Sequence, residues 1–119
     1  MLFRSLNMIV KIKDYKIKAI PCENNSEGMM GKKFDSNFLG MLFYLNPGPQ
    51  SFWMKGCVIP LDIIFISDNK ITEIARNCQP CYTKECPNFK CDYADTVLEV
   101  PGGLCDTWGI NEGDSIKID

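Results

Sequence analysis

Two carboxylates stand inside apolar, strand-like stretches of this chain. Asp62 lies in VIPLDIIFI and Glu99 in TVLEV. An acid among aliphatic and aromatic neighbours is costly to bury without a partner. If both line one pocket, they could share a proton, bind a cation or hold a ligand hydroxyl. The competing reading is structural: Asp62 accepts backbone N–H bonds and locks a turn, while Glu99 faces water. Just upstream of Asp62 the chain reads Phe52-Trp53-Met54-Lys55. Trp53, Met54 and Phe43 could wall a pocket, with Lys55 and Lys32 at its rim. An aromatic wall with an acid suits a sugar or a cationic ligand. Trp and Met at these spacings equally read as core.

Cysteine is the second chemistry-bearing residue type. The chain has seven, an odd number, so at least one stays unpaired even if disulfides form. Four follow the pattern Cys78-x2-Cys81-x4-Cys86-x4-Cys91. Four thiolates at this spacing can close a tetrahedral structural zinc site, which would leave no open position for catalysis. One or two disulfides, or plain reduced thiols, are the alternatives. The spacing matches a nucleic-acid-binding zinc knuckle with Cys in place of His, but the YTKE run between the second and third ligands lacks that knuckle's glycines. Cys57 lies beside Lys55, and a nearby ammonium favours a thiolate. The other reading of Cys57 is a small buried residue. With no His in the chain, a papain-like Cys–His mechanism is absent.

Composition narrows the classes. A chain of 119 residues is one domain, 1–119, able to bury roughly two-thirds of its unfolded surface without staples. Its net charge of −2 argues against a general nucleic-acid binder, which would carry a basic excess. No apolar run reaches the roughly 18 residues of a membrane span. The N-terminal MLFRSLNMIVKIK, broken by Arg4, Lys11 and Lys13, does not read as a secretory signal. A cytoplasmic address is the expectation, and thiols stay reduced or metal-bound there.

The elements that must position these residues are short strands. Ile9–Ile20 alternates with period two and slips phase at Asp14, which predicts a tight turn or bulge there. Cys22–Lys33 reads as a loop or one short helix, with Met29 and Met30 packed inward. Gly40–Leu45 is an apolar strand. Asn46-Pro47-Gly48-Pro49 reads as a rigid turn, and Ser51–Met54 as the returning strand of a hairpin. Leu61–Ile66 is a buried strand, Ser67–Lys70 a hairpin turn and Ile71–Ala75 its partner. Residues 77–93, broken by Pro80 and Pro87, read as an irregular loop. Thr96–Val100 is a strand. Pro101-Gly102-Gly103 turns into a helix over Leu104–Trp108 that Gly109 stops. Glycines ahead of a helix can expose N–H groups to an anion, though a tight turn explains them equally. Asn111–Asp114 is a turn and Ser115–Ile118 the last strand. The pattern is mostly β (α+β): a compact antiparallel sheet or partial barrel with one or two short helices.

With these residues in view, the chain resembles the bacterial and archaeal family called domain of unknown function 192. The resemblance runs through Gly28-Met29-Met30, Gly40-Met41-Leu42-Phe43, Phe52-Trp53-Met54-Lys55, Ile59-Pro60-Leu61-Asp62-Ile63, Val97-Leu98-Glu99, Pro101-Gly102-Gly103 and Gly113-Asp114, over about residues 9–118. It implies a small, mostly β fold and no established activity. The family usually has Arg where this chain has Lys32, which lacks the flat bidentate fork of Arg, and Asn-Thr where this chain has Gly56-Cys57. It commonly carries the positions of Cys81 and Cys86, which implies a disulfide there in exported relatives.

The functional expectation is a β domain that binds a small ligand or a partner. Trp53, Met54, Lys55, Asp62, Glu99 and Lys32 form its candidate pocket, and structural zinc on Cys78, Cys81, Cys86 and Cys91 is its one candidate cofactor. A zinc-stabilised interaction module and a hydrolase-like enzyme using Asp62 with Glu99 are the other classes. The sequence names no catalytic residue, ligand, partner or oligomeric state.

Overall fold

The computed structural model describes residues 7–119; residues 1–6, with Arg4 of the segment read above for a leader, lie outside it. Among the described residues seven strands form one sheet in the order β5-β4-β6-β3-β2-β1-β7. They are β1 (Met8–Ile12), β2 (Tyr15–Pro21), β3 (Gly40–Trp53), β4 (Leu61–Ser67), β5 (Lys70–Cys78), β6 (Asn88–Pro101) and β7 (Ile116–Ile118). A short helix, α1 (Leu104–Trp108), lies between β6 and β7. Neighbouring strands pair antiparallel, except β2 with β3, which run parallel with Ala19 opposite Gly40. No helix among the described residues is long and apolar enough to cross a membrane.

The phase slip at Asp14 is a tight turn: Ile12 pairs with Tyr15, and Lys13 takes a positive φ of 54°. The turn after β4 uses Asp68 and Asn69, both with positive φ, as a two-residue hairpin requires. The hairpin expected at Asn46–Pro49 does not form. Gly40–Trp53 is one continuous strand against β6, with irregular register between Tyr44 and Gly48 and between Gly48 and Gln50. Proline fixes its own φ and pushes the preceding residue into extended backbone, so Asn46-Pro47 and Gly48-Pro49 continue the chain as a bulge. Gln50 braces it, its Nε2 donating to the carbonyls of Asn46 (2.8 Å) and Ala94 (3.2 Å). The loop expected over 77–93 is likewise shorter, because β6 already begins at Asn88.

Both faces of the sheet are covered, which explains why β4 is buried at every position from Leu61 to Ile66. On one face Val10, Ile12, Ile17, Ile64, Ile66, Ile71, Leu98, Val100 and Ile116 share a single core with Cys105 of α1. Residues from opposite ends of the strand order meet there, so the sheet curls around this core as a half-barrel. Its two edges touch where Ile71 donates to the Asp114 carbonyl (2.9 Å) and Lys70 bridges Ser115. Trp108 stacks on Tyr15 with ring centroids 4.1 Å apart, which holds α1 over this side. On the other face Met41, Phe43, Ile63, Phe65 and Val97 pack under Met29, Met54 and Cys57, which come from the segments at 22–39 and 54–60. Met29 is buried as expected, but Met30 is part exposed.

Candidate functional site

Register separates the two acids. Asp62 pairs with Val100 and Ile63 with Glu99. Side chains alternate along a strand, so Asp62 shares the inner face with Ile64 and Val100, while Glu99 shares the outer face with Ile63 and Val97. The two carboxylates therefore cannot line one pocket or share a proton, and the acid-pair hydrolase arrangement is not formed.

Asp62 is fully buried and fully used. Its Oδ1 accepts N–H bonds from Asn77 (2.7 Å) and Gly103 (3.0 Å), and its Oδ2 accepts from Cys105 (2.8 Å). These donors belong to the end of β5, the turn before α1 and the first turn of α1. The helix has Gly103 at its N-cap position with no side-chain cap, so Asp62 supplies the cap from a distant strand. The N–H groups that the Pro101-Gly102-Gly103 turn could have offered to an external anion are taken internally. Gly102 is needed here for space: a Cβ on it would lie 2.7 Å from Asn77 Oδ1 and 2.8 Å from Pro60 Cβ.

Glu99 is equally buried, at 3% exposure, but has no such company. Its neighbours across β3 and β4 are Met41 and Ile63. It makes no hydrogen bond or ion pair within the described chain. Its carboxyl faces a cavity of about 310 Å³ walled by Phe43, Phe52 and Trp53, roofed by Gly28 and Met29, and edged by Lys55. Burial alone pushes the Glu99 carboxyl up to about 8 from its usual 4.5. The β3 bulge builds the wall. Phe43 and Phe52 are an odd number of residues apart and would face opposite ways on a regular strand. The irregular register between them restores the phase, and their rings meet edge-to-face at 5.1 Å. Gly28, at φ 51°, lets the loop lie on this wall, since a Cβ there would come within 3.2 Å of the Phe43 ring.

The residues expected at the site divide as follows. Trp53, Lys55 and Glu99 line the cavity, and Lys55 Nζ lies over the Trp53 ring, 5.2 Å from its centroid. Met54 packs in the outer-face core instead. Asp62 lies across the sheet. Lys32 belongs to an adjoining cleft of about 450 Å³ lined also by Cys22 and Met41, where its Nζ donates to the Gly28 carbonyl at 3.3 Å. Phe52, Gly28 and Met29 also line the cavity; in the sequence Gly28 stands out only in the family pattern, and Met29 there and as an inward-packed residue.

The four-thiolate site is not formed either. Cys81 and Cys86 are joined as a disulfide, while Cys78 and Cys91 are free and buried. Among the described residues no group of three or more His, Cys, Asp or Glu is placed to hold a metal ion. The disulfide matters to the cavity through the backbone: Cys81 N–H donates to the Met54 carbonyl (3.1 Å) and its carbonyl accepts from Gly56 (3.0 Å), so the loop clamps the segment carrying Lys55. Cys57 is not an activated thiol. Burial, with Glu99 adding to it, pushes it up to about 11, opposite to what an adjacent ammonium would do. Cys78 is pushed up to about 12 by burial and then by the two acids.

Comparison with known proteins places the chain. The family described as uncharacterized ACR, domain of unknown function 192, matches residues 10–118. The chain is similar to a protein of unknown function from Novosphingobium aromaticivorans DSM 12444, with 28% identity, 93% of this chain and 83% of that one covered, and a TM-score of 0.76. It also shares the fold of a protein from Sinorhizobium meliloti 1021 reported as a "putative transcription regulator", with 24% identity, coverage of 93% and 91%, and a TM-score of 0.77. No curated protein matches.

Proposed function

We propose that this chain, which belongs to the domain of unknown function 192 family, is a binding domain for a small organic ligand. The ligand enters the outer-face cavity, lies against Phe43, Phe52 and Trp53, and uses Glu99 as its polar anchor. One observation carries the reading: Glu99 is a buried residue whose carboxyl takes no hydrogen bond from the described chain and opens onto a cavity. Every fully buried side-chain polar atom among the described residues has a hydrogen-bond partner, so the Glu99 oxygens meet the open cavity, and an apolar pocket with a few convergent polar groups is the usual form of a ligand site. Asp62 is excluded from the site by its three internal bonds.

The two tryptophans provide the test. Trp53 is 45% exposed at the cavity edge, whereas Trp108 is stacked on Tyr15 across the sheet. With single-Trp variants, a ligand such as benzyl alcohol or benzylammonium should shift or quench Trp53 emission and leave Trp108 unchanged. A response confined to Trp108 would move the site to the other face.

A further inference from the structure

We propose that the ligand of this cavity is a protonated amine, an organic ammonium whose cationic head reaches Glu99 and whose apolar body lies on Phe43, Phe52 and Trp53. The proposal deepens the binding reading above and rests on it.

Charge is the first observation. The carboxyl of Glu99 is flanked by Met41 and Ile63 and has no cation of the described chain in contact. Lys55 is at the cavity edge over Trp53, and Lys32 is turned to the Gly28 carbonyl in the adjoining cleft. The titratable groups that face Glu99 from the packed elements are thiols: Cys57 from the segment after β3, Cys78 of β5 and Cys22 after β2, each raised further by the acid. Glu27 and Lys55 complete the charged lining. A buried carboxylate without an opposite charge is what an incoming cation neutralises.

The wall is the second. Aromatic faces attract cations through their quadrupole, most strongly Trp. The protein already uses this, since its own Lys55 ammonium lies over Trp53. The third is the absence among the described residues of any cluster able to ligate a metal ion. Glu99 on a wall of three rings, with Glu27 as the one other acid in the lining, suits an organic cation better than a bare divalent ion, which requires several oxygen ligands held together. A volume of about 310 Å³ is at the small end of ligand pockets.

The sign of the pH effect follows. Free protein at pH 7 keeps Glu99 mostly protonated, because its carboxyl titrates near 8. An ammonium binds the ionised form, so it displaces that proton, and affinity rises as pH climbs toward 8 and beyond until the amine itself loses its charge.

Isothermal titration of the full chain with benzylammonium, benzyl alcohol and benzoate at pH 7, in two buffers of different ionisation enthalpy, tests this, with Trp53 emission followed in parallel. Benzylammonium should bind about tenfold or more tighter than benzyl alcohol, release close to one proton, and lose that advantage in Glu99→Gln. A cooperative thermal melt of Glu99→Gln at pH 7, with Trp108 emission as in the wild type, shows that the variant is folded. Equal affinity for the alcohol, a preference for benzoate, binding without proton release, or an undiminished ammonium preference in Glu99→Gln would each overturn the amine assignment while leaving the pocket in place. If none of the three probes reaches Trp53, the pocket reading fails and takes this inference with it.

Discussion

Asp62 and Glu99 lie on adjacent strands, one residue out of register, and both are buried residues. On the inner face, three N–H groups from β5 and the start of α1 converge on Asp62. On the outer face, Glu99 meets methionine, isoleucine and aromatic rings. The difference shows that burial alone does not make an acid structural or functional. The supply of donors decides it. Where the chain provides them, the carboxylate joins elements together; where it provides none, the carboxyl stays protonated and open to something from outside.

The largest expected effect comes from breaking the satisfied side. Asp62→Ala leaves three buried N–H groups without an acceptor and should cost about 3–5 kcal/mol in a denaturant melt. A loss below about 0.5 kcal/mol would mean that Asp62 does not join α1 to the sheet.

The unsatisfied side should respond in the opposite direction. A carboxyl raised from 4.5 to about 8 in the folded state binds its proton more tightly folded than unfolded. Its contribution is fully present below about pH 4.5 and is lost as pH rises through 8. Glu99→Gln should remove this decline and, by pH 9, be the more stable protein by on the order of a few kcal/mol. A variant less stable than wild type at pH 9 would show that Glu99 has a partner in the folded chain.

Smaller effects sharpen the outer face. Opening the Cys81–Cys86 bond with Cys81→Ser/Cys86→Ser should cost about 2 kcal/mol by the loop-entropy relation. It should also speed amide exchange at Gly56, whose N–H is held by the Cys81 carbonyl. Elemental analysis and thiol titration of protein from a reducing cytosol read the same loop. Near one equivalent of metal with Cys81 and Cys86 reduced would restore the zinc reading. Lys55→Ala, which removes one exposed cation from the Trp53 face, should change stability by no more than about 0.5 kcal/mol.

Much of the fold was legible because it is written in local patterns. Period-two alternation marks β2 with Ile17 and Ala19 in and Lys16 and Lys18 out. The Asp68-Asn69 turn, the span of α1 and its stop at Gly109 follow from turn and cap chemistry. What failed was non-local. Asn46-Pro47-Gly48-Pro49 has turn composition, yet pairing with β6 extends it, and only the partner strand shows that. The site was half legible for the same reason. Trp53, Lys55 and Glu99 were within reach, but the opposite faces of Asp62 and Glu99 depend on a register that one sequence does not print. Cys78-x2-Cys81-x4-Cys86-x4-Cys91 has zinc-like spacing, but β5 and β6 bury its outer pair inside the core and leave the inner pair to each other.

The contrast between the two acids is tested most directly by a carbon-detected NMR titration of the side-chain carboxyls in the ligand-free protein. A Glu99 carboxyl that titrates near 8 is the result this account predicts. A Glu99 that titrates in the ordinary range near 4.5 would contradict it, because the group would then be hydrated or paired and no open anchor would exist in the cavity.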